Sequence, residues 1–128
     1  MKNLIIILAL AFSGFISAQE INWMSLEEAV VMQKKSPKKI MMDVYTNWCG
    51  PCKLLDKNTF KNKDVAAYVN KHYYAVKFNG EGNEVINFNG SEYKNAGYNP
   101  DLANRRNSAH DLTRYFKVNA YPTMVFID

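Results

Sequence analysis

Cysteine, histidine and proline are scarce in this 128-residue chain: two, two and four residues respectively. Two cysteines cannot build a disulfide-stapled scaffold, so the fold must rest on a hydrophobic core. Neither sign of charge dominates. Sixteen Lys and Arg oppose twelve Asp and Glu for a net charge of +4, and the basic residues are scattered, unlike the gathered stripe of a nucleic-acid binder. A mean hydropathy of −0.32 excludes a polytopic membrane protein. Internal repeats and low-complexity linkers are also missing. What remains is an apolar fraction of 48%, enough for one domain with a real core.

The longest apolar run is at the start. Lys2 precedes Leu4 to Ile16, broken only by Ser13 and Gly14, and Ile16-Ser17-Ala18 gives way to the polar Gln19-Glu20. As a helix the run spans about 20 Å, short of the ~30 Å hydrocarbon core of a bilayer. A charged start, a short apolar middle and a small-residue exit form the layout of a secretory signal peptide, cleaved after Ala18. Its removal takes Lys2 and lowers the net charge by one. We therefore expect an exported domain over residues 19–128, periplasmic or in the cell envelope, with no stable membrane insertion. No cysteine near the exit offers a site for lipid attachment.

Ser25-x-x-Glu28 is a capping box, and Leu26, Ala29 and Val30 share the inner face of the helix it opens. Ser36-Pro37 ends that helix. Lys39–Thr46 is a nearly continuous apolar run, which predicts a strand buried on both faces of a parallel sheet. A second helix is predicted from about Cys52 to Phe60, and a third from about Asp64 to His72 with Val65, Tyr68 and Val69 inward. Tyr73–Asn79 is the next strand, completing a βαβ unit. Residues 80–107 are rich in glycine and asparagine. Within them, Val85–Phe88, Asn89-Gly90 and Ser91–Tyr93 read as a small hairpin, and Asn99-Pro100 as a turn. Asn107 or Ser108 then caps a helix carrying Leu112, Tyr115 and Phe116, and Thr123–Ile127 is a final strand.

Cys49-Gly50-Pro51-Cys52 sits between a buried strand and the start of a helix. Cysteines three apart at a first helical turn lie on one side, where their sulfurs can bond. Cys49 at the helix N-terminus would gain from free N–H groups and the helix dipole, lowering a thiol pKa from its usual ~8.5. Pro51 suits the first helical position, where no N–H is wasted, and Gly50 permits a tight turn. The predicted chemistry is thiol–disulfide exchange, with Cys49 attacking and Cys52 resolving. This requires an accessible Cys49. Trp48, directly beside it, is read as framing the site.

Trp48-Cys49-Gly50-Pro51-Cys52 resembles the active site of the thioredoxin-like family. Asp43, six residues before the first cysteine, matches the family's buried aspartate, which accepts the proton of the second cysteine. Lys77 matches the lysine close to that carboxylate, and Tyr121-Pro122-Thr123 the segment whose cis proline lies against the disulfide and holds extended substrate. The resemblance covers Ile40–Asp128. It implies an α/β fold with a central mixed sheet flanked by helices, and disulfides of other proteins as substrates. It also implies a membrane thiol-transferring electron donor and no cofactor beyond the Cys49–Cys52 pair. The Gly-Pro dipeptide resembles the reducing members, so reductase is the expected direction.

Three features depart from the family pattern. The stretch 80–107 holds an insertion, being roughly twenty residues longer than the family usually needs, Tyr45 replaces a common tryptophan, and the sequence stops where the family adds an edge strand and a last helix. We expect those last elements in a longer gene product. Rival readings are an oxidase or isomerase of the same fold, a binding module with a structural disulfide, and a copper-handling protein. Zinc would need His72 and His110, which are far apart in sequence. Burial should raise the Asp43 pKa, with Lys77 opposing. His72 reads as a solvated helix-end residue, and His110, with Arg105 and Arg106, as a mild basic cluster: a solvated loop in preference to a contact for an acidic partner.

Overall fold

The computed structural model describes residues 19–128, so the signal-peptide reading of residues 1–18 lies outside the described residues. In chain order the elements are β1 (Trp23–Met24), α1 (Leu26–Lys35), β2 (Lys39–Tyr45), α2 (Gly50–Leu54), continued by a π-helical turn over Leu55–Thr59, and α3 (Lys63–His72). There follow β3 (Tyr73–Asn79), β4 (Ile86–Phe88), β5 (Ser91–Tyr93), a 3-10 turn at Pro100–Leu102, α4 (Asp111–Tyr115) and β6 (Thr123–Ile127). The main sheet has the order β1-β3-β2-β6, with the first three strands parallel and β6 antiparallel to β2. It is a thioredoxin-like fold: a mixed sheet flanked by helices.

Alternation along β2 and β3 divides the core. Ile40, Met42, Val44, Tyr74, Val76 and Phe78 face one way, where α1 brings Leu26 and Ala29 and α4 brings Leu112. Met41 and Ala75 face the other way, beneath Ala66 and Val69 of α3. The same period of two places Asp43 and Lys77, which are register partners, on this second face. The catalytic chemistry of a βαβ unit gathers at the carboxyl ends of its strands, and here that end of β2 leads through Thr46 to Cys49.

The helix caps follow local chemistry, with one exception. Ser25 Oγ accepts the Glu28 N–H and the Glu28 carboxylate accepts the Ser25 N–H, closing the expected box. The cap of α4 is neither Asn107 nor Ser108 but His110, whose Nδ1 accepts the Leu112 N–H at 3.0 Å. Its Nε2 contacts the Glu84 carbonyl at 2.6 Å, which requires a proton on Nε2. His110 is fully buried and edge-on to Phe78, so the solvated-loop reading is corrected. Asn107 is drawn away from capping by bonds to Asn99 and Glu81.

Three further expectations change. β1 was not foreseen, since two residues are too short for a pattern; it pairs at Trp23↔Ala75 and Met24↔Val76. Tyr68 points outward and stacks on His72, and Ala66 takes the inner position instead. The inserted segment is also less polar in effect than in composition. The hairpin forms as expected, with Asn89 and Gly90 both at positive φ, as a type I′ turn demands. It drives Ile86 and Phe88 into the main core.

Candidate active site

Cys49 is the N-cap of α2, with Gly50 first and Pro51 second in the helix. The helix therefore starts two residues before the expected point. Pro51 still loses nothing there, because the first four helical N–H groups lack internal partners. The turn brings Cys49 and Cys52 to a Cα–Cα distance of 5.3 Å, and they are joined by a disulfide. Cys49 Sγ accepts the Cys52 N–H at 3.1 Å, so the helix end presents a donor to that sulfur. Gly50 and Pro51 are exposed, yet Cys49 itself is only 2% exposed. The expectation of an open sulfur is thus corrected for the disulfide form. The side chain turns inward over its own helix end instead of outward.

Below the helix, Asp43 is 1% exposed. Its Oδ2 accepts a hydrogen bond from Lys77 Nζ at 2.7 Å, while Oδ1 has no partner among the described residues. Burial pushes the Asp43 carboxyl above the usual carboxylate range, with Lys77 opposing that shift and Asp56 adding to it. Asp56 was not anticipated. It lies one helical turn past Cys52, on the π segment, and bonds the same Lys77 ammonium. Burial alone would lower the Lys77 pKa, but its bonds to Asp43 and Asp56 raise it overall. The rings of Tyr45, Trp23 and Phe60 lie 4.8, 5.1 and 5.7 Å from the ammonium, close enough for cation–π attraction.

Above the helix, Trp48 meets Tyr121 edge to face at 5.9 Å. The Tyr121–Pro122 peptide is cis, and it precedes Thr123, the register partner of Val44. The cysteine turn and the cis peptide therefore occupy the same end of β2. Gly80 makes the approach of Tyr121 feasible: a Cβ there would lie 2.6 Å from the Tyr121 ring. Burial, with a smaller contribution from Glu81, pushes the Tyr121 phenol up to about 12.

Glu81 is a second site residue, after Asp56, that the sequence reading missed. It is 8% exposed, and its carboxylate accepts the Trp48 indole N–H at 3.2 and 3.3 Å and the Asn107 N–H at 2.6 Å. Arg106 stands over the other part of the indole, with its guanidinium 5.0 Å from the ring centroid. Neither contact has a local sequence signal, since 33 residues separate Trp48 from Glu81. Among the described residues there is no cluster of three or more His, Cys, Asp or Glu side chains arranged for a metal ion. His72 and His110 do not join the cysteines.

A model of the thioredoxin-like domain matches residues 26–128. The chain belongs to the thioredoxin-like domain family. Thiol:disulfide interchange protein DsbD of Photorhabdus laumondii is 41% identical over 44 residues, 34% of this chain and 7% of that protein. DsbD of Vibrio vulnificus is 38% identical over 42 residues, 33% of this chain and again 7% of the relative. The match thus spans a small part of these curated relatives. A protein of Bacteroides thetaiotaomicron described provisionally as a disulphide-isomerase has a solved structure that superposes with a TM-score of 0.54 at 30% identity, over 87% of this chain and 74% of that one. The DsbH oxidoreductase superposes with a TM-score of 0.60 at 20% identity, over 93% of this chain and 73% of that one. At that identity the likeness shows the fold alone. The fold of the thioredoxin-like disulfide oxidoreductases and a Cys-x-x-Cys disulfide are thus present together.

Proposed function

We propose that this protein exchanges disulfides with other proteins, acting as a reductase after export. The observation that carries the reading is the Cys49–Cys52 disulfide at a helix N-terminus, with a backbone N–H directed at Cys49 Sγ. In the reduced enzyme, Cys49 thiolate attacks one sulfur of a substrate disulfide. The substrate S–S bond breaks, a Cys49–substrate bond forms, and the other substrate sulfur leaves and takes up a proton. Cys52 then gives its proton to Asp43 and attacks Cys49 Sγ, releasing the second substrate thiol. The substrate gains two electrons and two protons, and the cysteine pair becomes a disulfide.

In this scheme Lys77 holds Asp43 in place and tunes its charge, Pro122 supports extended substrate, and Trp48 frames the reacting sulfur. Gly50 and Pro51 set the turn. Electrons would come from a membrane thiol-transferring partner, and export rests on the Met1–Ala18 pattern. An insulin-reduction assay tests the nucleophile: Cys49→Ser should abolish turnover, and equal activity would remove Cys49 from its role. The named isomerase among the similar structures favours a second direction. Equilibration with glutathione separates the two. A potential near ~ −270 mV supports reduction, whereas one near ~ −180 mV supports isomerisation.

A further inference from the structure

Beside the cysteine turn lies a cleft of about 460 Å³ lined by Trp48, Glu81, Arg106, Asn107 and Tyr121 among others. Two of its walls are the residues that precede Cys49 and Pro122. Glu81, Arg106 and Asn107 come from the ends of the inserted segment, and Asn119 and Ala120 from the chain just before the cis peptide. Its two charged residues are not equivalent. Glu81 is nearly enclosed, and its oxygens are occupied by the Trp48 indole and the Asn107 amide. Arg106 is exposed, lies against the indole face, and has no ion-pair partner among the described residues. Glu81 thus fixes a wall, while Arg106 offers unused, forked donors to whatever enters.

We propose that this cleft is a specificity subsite in which Arg106 pairs with an acidic side chain flanking the disulfide of a protein substrate. The proposal rests on the exchange reading and adds its substrate class. Arg106 can engage a carboxylate through two parallel hydrogen bonds while its plane stays on Trp48. A basic side chain would have to displace the donors already on Glu81 and pass Arg106, so it is disfavoured. The insertion then serves to read the sequence beside the substrate's cysteine.

Two internally disulfide-bonded peptides, identical except for Asp or Lys beside a cysteine, test this with the full chain. At low ionic strength the Asp peptide should have the higher kcat/KM by roughly five-fold, in keeping with a rim ion pair, and salt should erode the difference. Arg106→Lys should keep the sign of the preference and Arg106→Glu should reverse it. Equal kcat/KM for the two peptides, a Lys preference in the wild type, or a preference unchanged in Arg106→Glu would overturn the subsite and leave exchange intact.

A readout without turnover separates the two claims. When serine replaces the cysteines of the peptides, the Asp version should shift the Trp48 indole N–H resonance of the oxidised protein saturably, and the Lys version should not. That result from a protein unable to reduce either disulfide peptide would keep the subsite and sink the exchange. A Trp48 resonance indifferent to both serine peptides would sink the subsite.

Discussion

Two buried carboxylates belong to the candidate site, one from the sheet and one from the inserted segment, and their surroundings differ in kind. Asp43 is paired with a lysine that it shares with Asp56, and one of its oxygens has no partner among the described residues. Its charge is costly, and burial raises its pKa. Among the described residues Glu81 meets no cation within ion-pair distance; an indole and a backbone amide hold it. The first environment makes a proton easy to take up. The second uses a carboxylate as a clamp between Trp48 and the far end of the insertion. The same functional group is buried twice; under the proposed exchange one copy would accept a proton, while the other holds an indole and an amide in place.

Removing the cation should break the comparison most severely. Lys77→Met leaves Asp43 buried without its partner, and we expect a loss of about 3 kcal/mol in urea unfolding at neutral pH, the lower end for a broken buried pair because Lys77 is partly exposed. The loss should shrink in acid, where Asp43 carries a proton. Asp43→Asn should separate activity from stability. Turnover should fall by about 10²-fold, the scale of a lost general base, while the native state gains stability at pH 7. The sign follows from the raised pKa: the native state keeps its proton to higher pH than the unfolded chain, so stability declines as pH rises above the ordinary value of 3.8. Thermal melts of the variant and the wild type should therefore converge below that value.

Glu81→Ala addresses the other carboxylate. It orphans the Trp48 indole and the Asn107 amide and should cost about 2 kcal/mol. Trp48 fluorescence should change as the indole loses its acceptor. The smallest effect is the control: Ser25→Ala removes the α1 cap for about 1 kcal/mol, seen as a lower Tm with turnover unchanged.

The legible parts of the molecule are those governed by neighbours in sequence. The Ser25 box, the strands at 39–45 and 73–79 and the Asn89-Gly90 hairpin follow from capping, alternation and turn chemistry that act over a few residues. Asp43 and Lys77 were found through a resemblance, and the parallel register then set them opposite each other. Asp56 was within reach, since it follows Cys52 by one turn, but only the π segment and the shared lysine make it part of the site. The inserted segment was opaque for a different reason. Its asparagines look like loop composition, yet Asn95 bridges the Gly82 and Ser108 carbonyls and Asn107 closes on Asn99. Such cross-links carry no period.

By itself, the sequence determined the family, the order of the elements and the two sulfurs, because backbone propensity and the Cys-Gly-Pro-Cys spacing are local properties. Tertiary structure alone decided that Cys49 is enclosed, that His110 is a buried cap, and that Glu81 and Arg106 stand against Trp48. Each of those depends on which distant segment fills the space around a side chain, and burial and hydrogen-bond partnership exist only once the chain has closed on itself.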